Sequence, residues 1–264
     1  MVTDGVRPPM GQIKAWKKLT QAKYRRQEGL FLAEGGKVVG ELLGSGRPLE
    51  ALLVREGDQP RWVFLLAGAP AGVTVYQLTA GEWDALSQDR APEGVMAVAA
   101  IPPSAEPAGW LDGSGPLLLL HQVNNPNNLG ALLRTADWFG FSTVLLSEGS
   151  VEATNPKVVR TSMGSLFHLT VVEGLDFGEW LPRIRRRFRI VGSAVQAGCS
   201  PHPCAGPMAL LLGNESHGLP EELLALTDER WRVPGGGTAE SLSLPQAAAI
   251  MMYECVRANG ASER

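Results

Sequence analysis

At 264 residues, 44% of them hydrophobic and 19% charged, the chain has material for two modest domains or one large one. A formal net charge of −3 excludes the global basic footprint of a protein that coats nucleic acid, and no apolar run is long enough to span a membrane. Three cysteines give no disulfide framework and the N-terminus lacks a signal-peptide core, so a soluble protein of the reducing cytoplasm is expected.

Charge is nevertheless uneven along the chain. Residues 1–30 hold seven Lys/Arg (Arg7, Lys14, Lys17, Lys18, Lys23, Arg25, Arg26) against Asp4 and Glu28. Apolar strand candidates follow at 51–54 ("ALLV"), 62–66 ("WVFLL"), 73–76 ("VTVY") and 95–100 ("VMAVAA"), alternating with helical segments at 37–46 and 79–87. In the second of these helices Thr79 is placed as N-cap, with Glu82 completing a capping box. The pattern predicts a small α/β domain over residues 1–100. "IPPSAEPAGWLDGSGP", residues 101–116, carries four prolines and three glycines and reads as a linker.

A second domain is expected over 117–260. Its strand candidates are stronger, at 117–123, 143–147, 168–172, 189–195, 208–213 and 230–233, with helices at 129–139, 155–164, 176–187, 219–226 and 245–258. Strands that are apolar throughout, instead of alternating, imply a mainly parallel sheet covered on both faces. Ligands of such sheets bind beyond the carboxyl ends of the strands. Three loops at such ends are unusual: Asn124–Ala136, Gly213–Leu223 and Val233–Pro245. No G-x-G-x-x-G follows a strand, and "GGK" at 35–37 lacks the spacing of a P-loop, which argues against a dinucleotide dehydrogenase or a P-loop NTPase. Gly213 and the run Gly235-Gly236-Gly237 would let backbone approach a ligand closely. With Asn214 and Glu215 on one loop and Ser241 and Ser243 on the other, they point to a site.

Two further stretches stand out. "RIRRRFR", Arg183–Arg189, and the acid-free segment 154–172 with Lys157, Arg160 and His168 are local basic surfaces. They permit anionic partners, although solvated helix faces would look the same. "CSPHPC" sets Cys199, His202 and Cys204 at a metal-like spacing. A fourth ligand is missing nearby and two prolines stiffen the stretch, so a plain loop is expected there and no metal.

The three loops resemble the three signature motifs of the SpoU/TrmH branch of the SPOUT RNA 2′-O-ribose methyltransferases. They stand here as "NPNNLGALLRTA", "LLLGNESHGL" and "VPGGGTAESLSLPQAAAIMMYE", a likeness covering 117–257. "KYRRQEGLFLAEGG", shorter and weaker, is similar to the substrate-binding domain that many members carry. The resemblance implies a mainly parallel α/β sheet with a C-terminal trefoil knot, preceded by a smaller α/β RNA-binding domain. General rules of chain topology disfavour knots, so the likeness alone supports this one. It also implies S-adenosylmethionine held in the knot, methylation of a ribose 2′-hydroxyl in ribosomal or transfer RNA, no DNA substrate, and a homodimer. The last helix, apolar nearly all round, independently calls for burial on every side.

Residue by residue, the likeness makes Arg134, Asn128, Glu215, Ser241 and Ser243 the catalytic set. Arg134 is expected to organise the hydroxyl and clamp phosphate, since arginine holds its proton too tightly to act readily as a base; the alternative is a surface pair with Asp137. Asn127 or Asn128 should cap the helix, and Glu215 should orient Arg134 or the third loop. Ser193, Gly213, Val233 and Leu242 should line the methyl donor. Lys157 and Arg160, beside Asn155, should face RNA together with Lys23, Arg25 and Arg26. One departure stands out: the family usually reads S-L-N where this chain reads Ser241-Leu242-Ser243. That serine leaves open a catalytically weakened RNA-binding paralogue. An unrelated α/β enzyme for a small anion would leave the motif spacing unexplained.

Overall fold

The computed structural model describes residues 6–105, 107–111, 113 and 115–257. In chain order the elements begin with α1 (Met10–Lys18), α2 (Ala22–Glu28), β1 (Leu30–Glu34), α3 (Gly36–Gly44), β2 (Leu49–Arg55), α4 (Gln59–Ala67), β3 (Thr74–Leu78), α5 (Ala80–Leu86) and β4 (Val95–Ala100). They continue with α6 (Pro107–Leu111), β5 (Leu117–Leu120), α7 (Pro126–Trp138), β6 (Thr143–Ser147), α8 (Pro156–Thr161) and β7 (Thr170–Leu175). The last are α9 (Phe177–Ile184), β8 (Arg189–Ser193), β9 (Met208–Leu212), α10 (Glu221–Leu224), β10 (Glu229–Trp231) and α11 (Leu244–Val256). Two compact units result. One holds the chain up to Pro103 together with Glu152–Phe167; the other holds Ser104–Val151 and the chain from His168 onward.

The first unit is built on a sheet of order β1-β4-β2-β3, in which β4 runs antiparallel to β1 and β2 while β2 and β3 are parallel. Trp16, Leu32, Leu53, Trp83 and Met96 fill its core. Thr79 accepts from the Glu82 backbone N–H (3.3 Å) and Glu82 accepts from that of Thr79 (2.8 Å), the capping box expected at α5. Residues 62–66, expected as a strand, lie instead in α4. A short all-apolar run has no period to separate helix from strand, and Pro60 in the first turn favours the helix. There Leu66 is buried while Phe64 points outward.

Residues 152–167, expected as part of the second domain, pack into the first unit. Val158 and Val159 of α8 are buried, and the Phe167 ring lies 6.4 Å from that of Phe31. Helical periodicity shows that such a segment has an apolar face, not which core will receive it. The stretch expected as a linker also differs: it contains α6, whose Trp110 is buried against Trp180 at 5.3 Å between rings. Proline and glycine content masked that anchor.

The second unit carries a six-stranded sheet of order β10-β8-β9-β5-β6-β7, parallel throughout. Leu117–Leu120 of β5 pair with Ala209–Leu212 of β9 on one side and Thr143–Leu146 of β6 on the other. All four leucines are buried, as a strand covered on both faces requires. Each contributes roughly 1.5–3 kcal/mol by leaving water. Leu181, Ile184 and Phe188 close one face of the sheet, while α7 and α11 pack together elsewhere in the unit. Among the described residues no helix is long and apolar enough to cross a membrane.

Candidate active site at the strand ends

Because β5, β8, β9 and β10 run parallel, their carboxyl ends meet along one edge of the sheet. The chain leaves β5 through His121, whose N–H donates to Leu212 O (2.8 Å), and Gln122, which adopts a left-handed φ of 50°. Burial lowers the pKa of His121, which favours the neutral imidazole at the base of the site. Asn214, just after β9, donates its side-chain N–H to Gln122 O (2.7 Å) and so ties the two strand ends together.

Asn214 also shapes its own loop. Its Oδ1 accepts from the backbone N–H groups of Ser216 (2.8 Å) and His217 (3.3 Å), and its backbone exchanges two hydrogen bonds with Gly218 (3.1 and 2.9 Å). The fold-back is tight enough that a Cβ at Gly213 would stand 2.2 Å from the Gly218 carbonyl carbon. Only glycine fits there. Gly213 is therefore fixed by its own loop, whatever ligand the loop meets.

This loop delivers Glu215 to the start of α7. Glu215 Oε1 accepts from Asn125 N–H (3.2 Å) and from the Asn128 side-chain amide (3.2 Å), while Oε2 accepts from Asn124 N–H (3.4 Å). A carboxylate at a helix N-terminus is also favoured by the helix dipole. The N-cap is Asn125, not Asn127 or Asn128: its Oδ1 accepts from Asn127 N–H (2.9 Å) and Pro126 takes the first helical position. Proline's fixed φ suits that position, so the cap falls on the residue before it. Glu215 orients the first loop, and no ion pair joins it to Arg134 among the described residues, contrary to the expectation from sequence.

Arg134 lies two turns into α7 with an exposed side chain, beside the buried Leu132 and Leu133. Asp137, its possible surface partner, instead holds His168 Nδ1 at 3.2 Å. Among the described residues the Arg134 guanidinium has no hydrogen bond or ion pair. It is a cation left available at the site.

The methyl-donor candidates gather at the ends of three neighbouring strands. Ser193 closes β8 in register with Trp231, and Ala194 N–H donates to Trp231 O (2.8 Å). Gly213 follows β9, and Val233 stands two residues beyond β10. Nothing lies within 4 Å of a Cβ built on Gly235, Gly236 or Gly237. Val195 and Leu242 are apolar yet 58% and 46% exposed. Ser243 is the N-cap of α11, and Gln246 Oε1 accepts from its backbone N–H (3.3 Å) and its hydroxyl (3.0 Å). Ser241 is exposed, and no hydrogen bond joins either serine to Arg134, Asn128 or Glu215 among the described residues.

The five candidate RNA-binding cations all fall in the first unit. Lys23, Arg26 and Lys157 are exposed. Arg160 is committed to Asp89 (3.1 Å), and Asn155 caps α8 by accepting from Lys157 N–H (3.0 Å). Arg25 contradicts the expectation. It is 2% exposed, donates to Leu19 O (3.0 Å) and pairs with Glu152, which also holds Arg26 at 2.5 Å. A cation buried and paired in this way is structural and cannot face RNA. Glu152 escaped the sequence reading; its only signal was being the last acid before an acid-free stretch.

Residues 116–253 match the SpoU rRNA Methylase family, and residues 11–97 match the MRM3-like substrate binding domain. A 23S rRNA (guanosine(2553)-2′-O)-methyltransferase of Bacillus subtilis is 33% identical, over 92% of this chain and 94% of the relative. The chain belongs to the SpoU rRNA methylase family. Two solved structures are similar in fold. The AdoMet-bound rRNA methyltransferase of Sinorhizobium meliloti has a TM-score of 0.83 at 27% identity, covering 97% of this chain and 98% of that one. The SpoU methyltransferase AviRb of Streptomyces viridochromogenes, in complex with AdoMet, has a TM-score of 0.82 at 25% identity, covering 94% and 98%. S-adenosylmethionine is the cofactor of this family member, and its residues fit that group. Val195 and Leu242 offer uncovered apolar surface of the kind an adenine ring buries, and the open glycine run leaves backbone groups free to bind polar edges.

Proposed function

We propose that this protein transfers the methyl group of S-adenosylmethionine to a ribose 2′-hydroxyl of ribosomal RNA. The observation that carries this reading is Arg134, without a hydrogen bond or ion pair among the described residues, two turns into a helix whose start Glu215 fixes. The cofactor, when bound, supplies an electrophilic methyl group on a sulfonium. Everything else falls to the chain. Backbone around Ser193, Gly213 and Val233, with the side chain of Leu242, holds the donor. Arg134 binds the substrate phosphate and orients the 2′-oxygen, offsetting negative charge there as the hydroxyl proton passes to solvent. Asn128 and Glu215 hold that helix start rigid, so that the acceptor meets the donor in line. Orientation of this kind contributes up to about 7–11 kcal/mol to a bimolecular transfer.

The ribosomal assignment is supported by relatives whose names specify 23S rRNA ribose methylation. Ser243 stands at the N-cap of α11, a position that serine and asparagine both suit, which supports an active enzyme over a weakened paralogue. Lys23, Arg26 and Lys157 give the first unit an exposed basic set for the RNA backbone. We assign the C-terminal segment to a trefoil knot on the strength of the family likeness, and the protein to the cytoplasm. A homodimer is supported by three exposed apolar side chains on the paired helices α7 and α11: Trp138 (83%), Ile250 (40%) and Tyr253 (50%).

The test uses labelled S-adenosylmethionine and total RNA from a strain lacking the gene. Label is expected in a 2′-O-methyl nucleoside of large-subunit ribosomal RNA. Label confined to transfer RNA would overturn the substrate, and calorimetry finding no binding of S-adenosylmethionine would overturn the enzyme class.

A further inference from the structure

Away from the strand ends, edge strand β10 carries a second cluster of chemically able side chains. Glu229, the first residue of β10, is mostly buried, with 15% of its side chain exposed. Cys199 lies along the outer edge of β10, where its N–H donates to Arg230 O (3.0 Å) and its carbonyl accepts from Arg232 N–H (2.9 Å). Cys199 Sγ and His202 Nε2 each stand 2.7 Å from Glu229 Oε1. The three potential ligand atoms lie within 4.8 Å of one another.

The surroundings aim these atoms. His202 Nδ1 is 3.1 Å from Pro203 O and Nε2 is 2.7 Å from the Glu229 carboxylate; both partners can only accept, so without metal the ring donates from each nitrogen, and an ion at the site takes the place of the Nε2 proton. One ring nitrogen tied to a backbone carbonyl and the other presented to the site is the habitual arrangement of metal-binding histidines. The ring also packs on Trp231 at 5.3 Å between centroids. Glu229 is held in turn by Trp231 Nε1–H (3.0 Å, to Oε1) and Arg189 (2.5 Å, to Oε2). A sulfur, an imidazole nitrogen and a carboxylate oxygen, the last two supported from behind, converge on one point.

We propose that Cys199, His202 and Glu229 form a zinc-class metal site that pins the 199–204 loop to β10, with water as the fourth ligand. The donor set selects the metal class: thiolate with imidazole suits zinc, where calcium and magnesium take oxygen alone. With bonds of about 2.0–2.3 Å, tetrahedral ligands stand about 3.5 Å apart. The Glu229 carboxylate therefore has to draw back by somewhat under an ångström, about the difference between 2.7 and 3.5 Å, to admit the ion. On coordination the thiol proton of Cys199 and the Nε2 proton of His202 pass to solvent, and thiolate plus carboxylate balance the dication. The third ligand is not Cys204, as the "CSPHPC" spacing first suggested. That thiol is buried, 3.7 Å from His202 O and beside Cys255 of α11. The acid that completes the set comes from a strand 27 residues further on, beyond the reach of a local motif.

The test takes the full chain, strips it with a chelator and titrates it with Co²⁺ and then Zn²⁺. One cobalt per chain is expected, with the visible bands of tetrahedral coordination and a near-ultraviolet sulfur-to-cobalt band, all displaced by one equivalent of zinc. Cys199→Ser and His202→Ala should each weaken zinc at least about tenfold, since even outer-shell partners of a metal are worth 10–100-fold. Cys204→Ser should leave stoichiometry and affinity unchanged. Circular dichroism checks that each variant folds, and the exposed position of Cys199 makes its serine variant the safer of the two. Absence of a thiolate band in the wild type would overturn the proposal. So would a band that survives Cys199→Ser and His202→Ala but is lost in Cys204→Ser. Neither outcome depends on whether the protein methylates RNA.

Discussion

Two neighbouring arginines show how differently one residue type can be used. Arg25 and Arg26 both reach Glu152, but Arg25 is 2% exposed and the side chain of Arg26 is 74% exposed. Removing the buried partner leaves Glu152, itself largely buried, with only the exposed Arg26, and leaves Leu19 O without its donor, so Arg25→Ala should cost about 3–5 kcal/mol in a urea titration. Arg26→Ala should cost less than about 1 kcal/mol. Equal losses in the two variants would contradict the structural role of Arg25. Sequence could not separate them, because "KYRR" shows charge but not which side of α2 meets the core. Ser243 was more legible. Its place before Leu244-Pro245 and Gln246 marks a cap, and the structure puts it at the N-cap of α11. Ser243→Asn should hold stability within about 0.5 kcal/mol, because both residues cap well. Its effect should appear in substrate affinity or turnover, where the amide adds reach. A stability change well beyond that margin would show that Ser243 does more than cap.

Among elements, strands proved easier to place than their partners. The leucine run of β5 announced a buried parallel strand, and the three loops at the strand ends were visible as clusters of Asn, Gly and Ser. What joins them was not. The Glu215 clamp on Asn124, Asn125 and Asn128 spans about 90 positions of sequence, and only the β5–β9 pairing brings the two loops together. Helix α8 was recognisable as a helix, yet its core lay in the other unit. The final helix supports a prediction of its own. Since α7 and α11 leave Trp138, Ile250 and Tyr253 uncovered, the wild type should be a dimer at micromolar concentration by light scattering. Tyr253→Glu should shift it toward monomer. A monomeric wild type would contradict the role given to that face.

Across the whole molecule, the proposed reading divides labour between two units: one supplies a basic surface, the other donor and acceptor chemistry. Reversing Lys23, Arg26 and Lys157 to glutamate should weaken RNA binding and flatten its salt dependence by about 0.7–0.9 in slope for each phosphate no longer neutralised. Affinity for S-adenosylmethionine should be untouched; unchanged RNA affinity and slope would remove the first unit from substrate binding. In the proposed mechanism the reaction turns on Arg134, a cation with no hydrogen bond or ion pair among the described residues. Single-turnover methyl transfer to ribosomal RNA, compared between wild type and Arg134→Ala with cofactor affinity measured alongside, tests its role most directly. Loss of transfer with cofactor affinity intact is the predicted result. A variant that keeps more than about a tenth of the rate, a loss below about 1.4 kcal/mol in the barrier, would contradict it.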